Sequence, residues 1–314
     1  MTLITALQGR VKAEVTLTAA ADDDNRRLDR ILRKALPDTP LSLIHRLLRQ
    51  SRILVDGKPA AADLRIRSGQ NITVPLEKNT NNTAPTVSFV SSVVNILFES
   101  PDFLVLNKPA GLAVHGDDSL DTLVQAHLAP KIPPSLSFRP GPLHRLDKPT
   151  SGVIVFSASL AGARRFSALL QSRSLTKGYL ALVEGVIEKE GLWEDRLIRD
   201  HERQKTFTAE GEEAKPARTR FKPLMVKPPY TLLQLEPDTG RTHQIRAQAA
   251  AHGHPLGCDR KYGSRQSGDL LLHAMFLEIP IELAAAEPRL PPRLEAPPPE
   301  KFKARVKEIF GKEI

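Results

Sequence analysis

The sequence has little cysteine and no long apolar run, and both absences narrow the class of protein. Cys258 is the single cysteine among 314 residues, which excludes an internal disulfide and any zinc site built from several thiolates. No apolar stretch approaches the roughly 18 residues that span a bilayer, and residues 1–20 lack the apolar segment of a secretory signal. We therefore expect a soluble protein of the cytoplasm without membrane contacts.

Loops that cradle phosphates or present a nucleophilic serine are also missing. The chain contains no Gly-x-x-x-x-Gly-Lys-Ser/Thr loop, no Gly-x-Gly-x-x-Gly loop and no Gly-x-Ser-x-Gly turn. His243, His252, His254 and Cys258 follow no recognised spacing of metal ligands. We expect no metal, no nucleotide cofactor and no other cofactor.

Positive charge is in excess, since 45 Lys and Arg residues stand against 36 Asp and Glu, a net charge of +9. Such an excess favours a polyanionic partner. Between positions 26 and 52, apolar residues recur at helical spacing and predict two amphipathic helices with arginines on their open faces. An ordinary solvated surface is the alternative interpretation of that basic face. The basic residues of this stretch are Arg26, Arg27, Arg30, Arg33, Lys34, Arg46, Arg49 and Arg52.

Changes in composition divide the chain into a small N-terminal domain at residues 14–78, a polar linker at 79–92 and a larger domain at 93–286. A proline-rich segment with a short C-terminal helix follows at 287–314. Strand and helix patterns alternate irregularly in the larger domain. This irregularity predicts an α+β fold with a mixed, mainly antiparallel sheet, preceded by a small α/β domain.

The stretch most suited to chemistry is Gly141-Pro-Leu-His-Arg-Leu-Asp-Lys-Pro-Thr-Ser-Gly. Its charged residues precede a turn and a β-branched apolar run, so a buried strand should hold a polar loop in place. A lone Asp147 in such a turn would ordinarily be structural. Partners elsewhere in the chain therefore decide whether it has a chemical role.

This stretch resembles the signature of the Rlu family of pseudouridine synthases, whose core reads His-Arg-Leu-Asp followed shortly by Thr-Ser-Gly. Further blocks resemble the family in the same order along the chain. They are Leu106-Asn-Lys-Pro-Ala-Gly-Leu-Ala-Val-His, Thr176-Lys-Gly-Tyr, Lys215-Pro-Ala-Arg-Thr, Thr239-Gly-Arg-Thr-His-Gln-Ile-Arg with Gly253-His-Pro, and Leu271-Leu-His-Ala. The resemblance covers about residues 94–280.

The resemblance implies isomerisation of uridine to pseudouridine in RNA, with Asp147 as the catalytic carboxylate. It also implies that Arg246 pairs with this carboxylate and that Tyr179 stacks on the target base. Arg145 would enter the helix space that the flipped base leaves. The same motifs offer His144, Arg241 and His243 as further substrate-binding residues.

The N-terminal domain resembles the alpha-L (S-four) RNA-binding domain. The resemblance rests on Arg27-Leu-Asp-Arg, the Ser-Leu-Ile-His-Arg-Leu-Leu-Arg-Gln helix, Arg52-Ile-Leu-Val-Asp-Gly-Lys-Pro and Ser68-Gly-Gln-Asn-Ile-Thr-Val. In that family, the second helix and the turn after it face RNA phosphates. The residues that this implies here are Arg30, Arg46, Arg49, Arg52 and Lys58.

Two departures from the Rlu pattern stand beside the site. Ala247-Gln248 replaces the usual Val-His, and Cys258 stands where Gly precedes Asp in the family, so a backbone conformation that favours Gly is in doubt there.

We expect a monomer that modifies large-subunit ribosomal RNA. The same reaction on transfer RNA, and a non-catalytic RNA-binding or ribosome-assembly protein, remain as alternatives.

Overall fold

A computed structural model describes residues 14–76, 95–132, 135–285 and 289–314. The chain divides into two compact units, residues 1–86 with 128–139, and residues 87–127 with 140–314. The linker predicted at 79–92 lies outside the described residues, and the division into domains remains a prediction.

The first unit is a small α/β fold with a four-stranded sheet in the order β1-β6-β3-β4 and a short β2-β5 pair. Its strands are β1 Val15–Thr18, β2 Arg26–Arg27, β3 Leu54–Val55, β4 Lys58–Pro59, β5 Arg65–Ile66 and β6 Asn71–Val74, and its helices are a 3-10 turn at Ala21–Asp23, α1 Leu28–Ala35 and α2 Leu41–Arg49. Apolar residues of both α-helices are buried in one core with the sheet. The helical spacing read from the sequence is thus confirmed.

Residues 128–139 belong to this first unit although they lie far away in sequence. The fully buried Asp23 carboxylate accepts hydrogen bonds from the backbone N–H of Leu136 at 3.0 Å and of Ser137 at 2.9 Å. Burial opposes ionisation of Asp23, but hydrogen bonds from Ser137, Leu136, Ala20 and Ser135 outweigh it and lower the pKa of the carboxyl group. A single buried acid therefore ties a distant segment into this unit, a connection that the division read from the sequence does not contain.

The second unit is built on one sheet in the order β13-β12-β14-β15-β11-β16-β10-β8-β7, with β9 paired to β10 and β17 paired to β16. Among the described strands, β10 and β16 run parallel and the other neighbours are antiparallel. The expected α+β fold with a mixed, mainly antiparallel sheet is confirmed. The strands are β7 Asn95–Glu99, β8 Phe103–Lys108, β9 Gly141–Pro142, β10 Ser151–Ser157, β11 Thr176–Glu184, β12 Gly191–Asp200, β13 Lys205–Thr208, β14 Lys215–Lys227, β15 Tyr230–Pro237, β16 Leu272–Glu278 and β17 Arg293–Glu295.

Helices cover both faces of this sheet. They are α3 Leu120–Leu128, α4 Leu160–Gln171, α5 Gln244–Ala251, α6 Ile281–Ala284 and α7 Glu300–Phe310, with a 3-10 turn at Arg260–Tyr262. Successive residues of a strand point to opposite faces. Accordingly, Ala181 of β11 packs with Ile245 of α5, whereas Leu182 packs with Val306 of α7. No helix in the described ranges is long and apolar enough to cross a membrane.

Candidate active site

The loop that carries Asp147 leads directly into β10, in which every residue is buried. The backbone N–H of Thr150 donates to the Asp147 carbonyl at 3.0 Å, which closes the turn before the strand. Gly152 has φ +118°, and a Cβ atom there would lie 2.1 Å from the carbonyl oxygen of Ala274. Only glycine permits this approach of β10 to β16, so the Thr-Ser-Gly sequence fixes where the loop ends and the strand begins.

Lys108 also holds the loop that carries Asp147, through hydrogen bonds to backbone carbonyls. This fully buried side chain donates from Nζ to the carbonyl oxygens of Pro109 and Leu112, each at 2.9 Å, and of Lys148 at 3.1 Å. Burial lowers the pKa of Lys108 to about 8, although the nearby Asp147 charge acts in the opposite direction. Because Lys148 directly follows Asp147, the hydrogen bond to the Lys148 carbonyl holds the backbone of the loop that carries Asp147.

Arg246 on α5 contacts Asp147 through one guanidinium nitrogen, Nη1. Its Nη1 lies 3.3 Å from Oδ2 of Asp147, while Nε and Nη2 bind both carboxylate oxygens of Asp259 at 2.7 and 2.8 Å. Burial works against the charged guanidinium, but Asp259 and then Asp147 raise the pKa of Arg246 above its ordinary value. The Asp259 carboxylate thus fixes the cation, and Asp147 receives one weaker hydrogen bond, from Nη1.

His243 immediately precedes α5 in a left-handed conformation with φ +54°. Its Nε2 lies 3.7 Å from Oδ2 of Asp147, and its Nδ1 lies 2.9 Å from the hydroxyl of Tyr262. That hydroxyl accepts the backbone N–H of Thr206 at 2.9 Å and still has its own proton to donate, so it can serve Nδ1 as a donor. With Tyr262 as the donor to Nδ1, we assign the ring proton to Nε2, which faces the carboxylate. Burial, opposed by Asp147, lowers the pKa of His243 to about 4, so the imidazole is neutral at pH 7.

Tyr179 lies on β11 with its ring half-buried against the core beneath α5. Burial, and then the charge of Asp147, raise the pKa of its phenol, so the hydroxyl stays protonated at neutral pH. The ring also lines the cleft that contains Asp147. It is available there as a flat apolar surface.

One cleft of about 810 Å³ gathers all the site residues that the sequence places in this unit. They are Asp147, Tyr179, Arg246, Arg145, His144, Arg241 and His243. Motifs spread over about a hundred residues therefore converge, although the chemical role of each remains a prediction. Asp259, Tyr262 and Lys108, which support them, were not recognised as site residues from the sequence; the signal available was that Asp259 and Lys108 lie inside family motifs.

His144 occupies a structural position within this cleft. Its Nε2 accepts the backbone N–H of Val155 at 3.1 Å, and its ring stacks on Phe166 with centroids 5.9 Å apart. Burial, followed by repulsion from Lys177, lowers the pKa of His144 to about 3. A neutral ring bonded to β10 favours a role in bracing the loop over direct contact with a substrate.

The two arginines predicted to bind substrate are both exposed at the cleft. Arg241 donates from Nε to the carbonyl oxygen of Pro216 at 3.2 Å. Arg145 makes no side-chain hydrogen bond or ion pair with the described residues. In the first unit, the five basic residues predicted to face RNA are all exposed: Arg30, Arg46, Arg49, Arg52 and Lys58.

The histidines and the cysteine that follow α5 have separate partners. His252 lies 3.2 Å from a carboxylate oxygen of Asp195, His254 lies 3.1 Å from the carbonyl of Glu184, and the Cys258 thiol donates to the Ser267 carbonyl. In the part of the chain that the structure describes, no three His, Cys, Asp or Glu side chains are grouped to hold a metal ion.

Comparison with known proteins identifies the family. A family model described as RNA pseudouridylate synthase matches residues 102–251. The ribosomal large subunit pseudouridine synthase C of Salmonella typhi is 34% identical over 268 residues, covering 81% of this chain and 82% of the relative. The chain belongs to the pseudouridine synthase family. It is therefore an isomerase.

Two further comparisons agree with the assignment of this chain to the pseudouridine synthase family. The protein of the same name from Escherichia coli strain K12 is 33% identical over 259 residues, covering 78% of this chain and 79% of the relative. The structure of human RNA pseudouridylate synthase domain containing 4 superposes with a TM-score of 0.57 at 23% identity, over 68% of this chain and 92% of that one. That likeness supports the fold.

Both departures from the family pattern have a structural setting. Cys258 has φ +64°, the left-handed conformation in which glycine is favoured, so the doubt raised by the sequence was justified. Gln248 is fully buried, and its amide accepts from Thr219 and donates to Asp195, each at 2.7 Å. The amide of Gln248 thus has both donor and acceptor partners, which accounts for a polar side chain at this depth.

Proposed function

We propose that the enzyme converts uridine to pseudouridine in large-subunit ribosomal RNA and that Asp147 is the catalytic carboxylate. The observation that carries this proposal is the position of Asp147 in the cleft, with Arg246 Nη1 at 3.3 Å and His243 Nε2 at 3.7 Å from the same oxygen. An ion pair with Arg246 offsets the cost of keeping a charged carboxylate in a partly closed cleft. Such a group can act as a nucleophile or a base.

The chemistry balances without a cofactor. The bond between N1 of uracil and C1′ of ribose breaks, and a bond between C5 and C1′ forms. The proton on C5 leaves, and N1 gains one, so no net oxidation or reduction occurs. The protein has to supply a carboxylate, a route for one proton and a pocket in which the detached base can rotate.

Base flipping brings the target uridine to Asp147 in this proposal. A base inside a helix is inaccessible, and an aromatic side chain can replace the stacking that the base loses. Tyr179 offers such a ring in the cleft, and Arg145 has an exposed guanidinium without a protein partner among the described residues. Arg145 is therefore free to fill the space left in the RNA helix.

Ribosomal RNA is the proposed substrate because the similar bacterial proteins are named as ribosomal large subunit pseudouridine synthases. The first unit is proposed to be an S-four-like RNA-binding domain, and its exposed Arg30, Arg46, Arg49, Arg52 and Lys58 would face phosphates. The cleft residues that carry the reaction all belong to one chain. We propose that the enzyme acts as a monomer, and we propose the cytoplasm as the place where it meets its RNA.

The test is incubation of the protein with separate ribosomal and transfer RNA fractions, followed by mapping of pseudouridine at single-nucleotide resolution. We expect product in large-subunit ribosomal RNA, none with Asp147→Asn, and nearly unchanged RNA affinity of that variant. Product confined to transfer RNA would overturn the substrate assignment. Turnover by Asp147→Asn would overturn the role of the carboxylate.

A further inference from the structure

The cleft wall formed by residues 143–145 and 170–177 carries positive charge that no acid of the described chain neutralises. Arg145, Arg173 and Lys177 line this wall, and none of them makes a side-chain hydrogen bond or ion pair with the described residues. The carboxylates Glu236 and Asp238 also line the cleft, but each of them pairs with Arg220 instead. The cleft acids Glu236 and Asp238 are therefore paired with Arg220, whereas Arg145, Arg173 and Lys177 have no such partner among the described residues.

Lys177 is the least expected of these cations because it is not an exposed surface lysine. It lies on β11 two residues before Tyr179, and its side chain is partly buried in the cleft. Burial lowers the pKa of Lys177, and its charge in turn helps to lower the pKa of His144. An ammonium group without a partner is costly in such a place unless a ligand supplies an acceptor.

We infer that Lys177 binds a phosphate of the RNA strand beside the target nucleotide. A flipped nucleotide remains attached to two phosphates, so a base that stacks on Tyr179 brings a phosphodiester to the same wall. Lysine binds phosphate as a compact point charge. Uracil carbonyl oxygens are the other acceptors that this nucleotide carries, but they are neutral and would compensate the ammonium charge less. The inference deepens the proposed function and rests on it for the position of the RNA.

The experiment measures RNA binding without turnover, using Asp147→Asn protein and a short RNA hairpin that contains a mapped target uridine. In this background, Lys177→Met removes the charge but keeps an unbranched apolar side chain. Lys222→Met, on the exposed part of β14 outside the cleft, is the matched control for net charge. Each phosphate contact contributes about 0.7 to 0.9 to the slope of log affinity against log salt concentration.

We expect Lys177→Met to weaken binding on the order of tenfold at low salt and to reduce that slope by about 0.7 to 0.9. Lys177→Arg should preserve the slope, and so should Lys222→Met. A methylphosphonate that neutralises a phosphate flanking the target should weaken the binding of protein with Lys177 and leave Lys177→Met unaffected. Equal thermal unfolding of all variants confirms that the fold is intact.

Two results would overturn the inference. A slope unchanged by Lys177→Met, with lower turnover of otherwise wild-type enzyme, would indicate contact with the uracil base instead. Equal behaviour of Lys177→Met and Lys222→Met would leave Lys177 without any specific contact. Failure of the proposed function looks different, because the wild-type enzyme would then produce no pseudouridine in the hairpin whatever the salt dependence of binding.

Discussion

Substitution of Asp259, the bidentate partner of Arg246, should impair catalysis although Asp259 is not proposed to touch the substrate. The guanidinium and the Asp259 carboxylate form a bidentate pair at 2.7 and 2.8 Å, with side chains only 7% and 1% exposed. Breaking such a buried pair from one side costs about 3 to 5 kcal/mol. Because Asp147 remains as a weaker partner, we expect Asp259→Ala to lower the free energy of unfolding by about 3 kcal/mol, the lower end of that range.

Asp259→Asn should lower the free energy of unfolding less than Asp259→Ala does, and it should test the catalytic effect equally well. The amide keeps one acceptor for the guanidinium, so we expect a loss of about 2 kcal/mol. In both variants Arg246 can turn toward Asp147, which would misplace the carboxylate relative to the base. A shift on the scale of 1 Å costs roughly a hundredfold in turnover, so kcat should fall by about that factor while RNA affinity changes little.

The assays are urea unfolding at pH 7 and initial rates of pseudouridine formation at saturating RNA, which give kcat. Asp269→Asn is the control, because Asp269 forms an exposed pair with Lys301 and should change stability by less than about 1 kcal/mol. The reasoning is refuted if Asp259→Asn keeps wild-type kcat. It also fails if Asp259→Ala unfolds at the wild-type urea concentration.

Three further predictions address the supports of the site. Gly152→Ala should cost more than about 3 kcal/mol or prevent folding, because its Cβ would meet the Ala274 carbonyl, whereas Gly141→Ala, with open space around it, should fold normally; expression and thermal melting decide. Cys258→Val should be less stable than Cys258→Gly by about 1 to 3 kcal/mol, since a β-branched residue is strained at φ +64°; equal melting temperatures would contradict this. Burial lowers the pKa of His144 from its ordinary value of 6.5 to about 3 in the folded state. Between these two pH values the unfolded chain binds one proton more than the folded chain does. The free energy of unfolding therefore falls as the pH decreases below 6.5. From pH 7 to pH 5 the wild type should therefore lose about 2 kcal/mol more than His144→Asn in urea unfolding, and equal losses would refute the neutral buried ring.

Much of the fold and the membership of the cleft could be predicted because those features follow from local pattern. The apolar spacing around Leu28 and Ile44 depends only on helical period, and both residues are buried as the pattern predicts. The motifs containing Asp147, Tyr179 and Arg246 indicated a common site without any knowledge of the strand order. Local sequence was sufficient wherever the relevant interaction was with the core or lay within a motif.

The complete set of partners within the site could not be predicted, because it depends on which side chains the tertiary fold brings together. Arg246 was expected to pair with Asp147, and the structure adds Asp259 as its stronger partner. The tautomer of His243 depends on a hydroxyl from Tyr262, whose own orientation depends on a backbone N–H of an edge strand. Such donor and acceptor assignments extend through several elements, and no local pattern records them.

These unpredicted contacts explain how the Asp147 carboxylate can be held in position while one of its oxygens stays available to the substrate. If Asp147 were the main partner of Arg246, a bidentate pair would occupy both carboxylate oxygens. Asp259 takes that position instead, and the two groups at 3.3 and 3.7 Å approach a single oxygen of Asp147, Oδ2. The Lys108 ammonium meanwhile fixes the backbone of the next residue without touching the carboxylate. In the proposed reaction, attack or proton transfer therefore occurs from the other oxygen, Oδ1, and Asp259 keeps that oxygen out of a bidentate pair with Arg246.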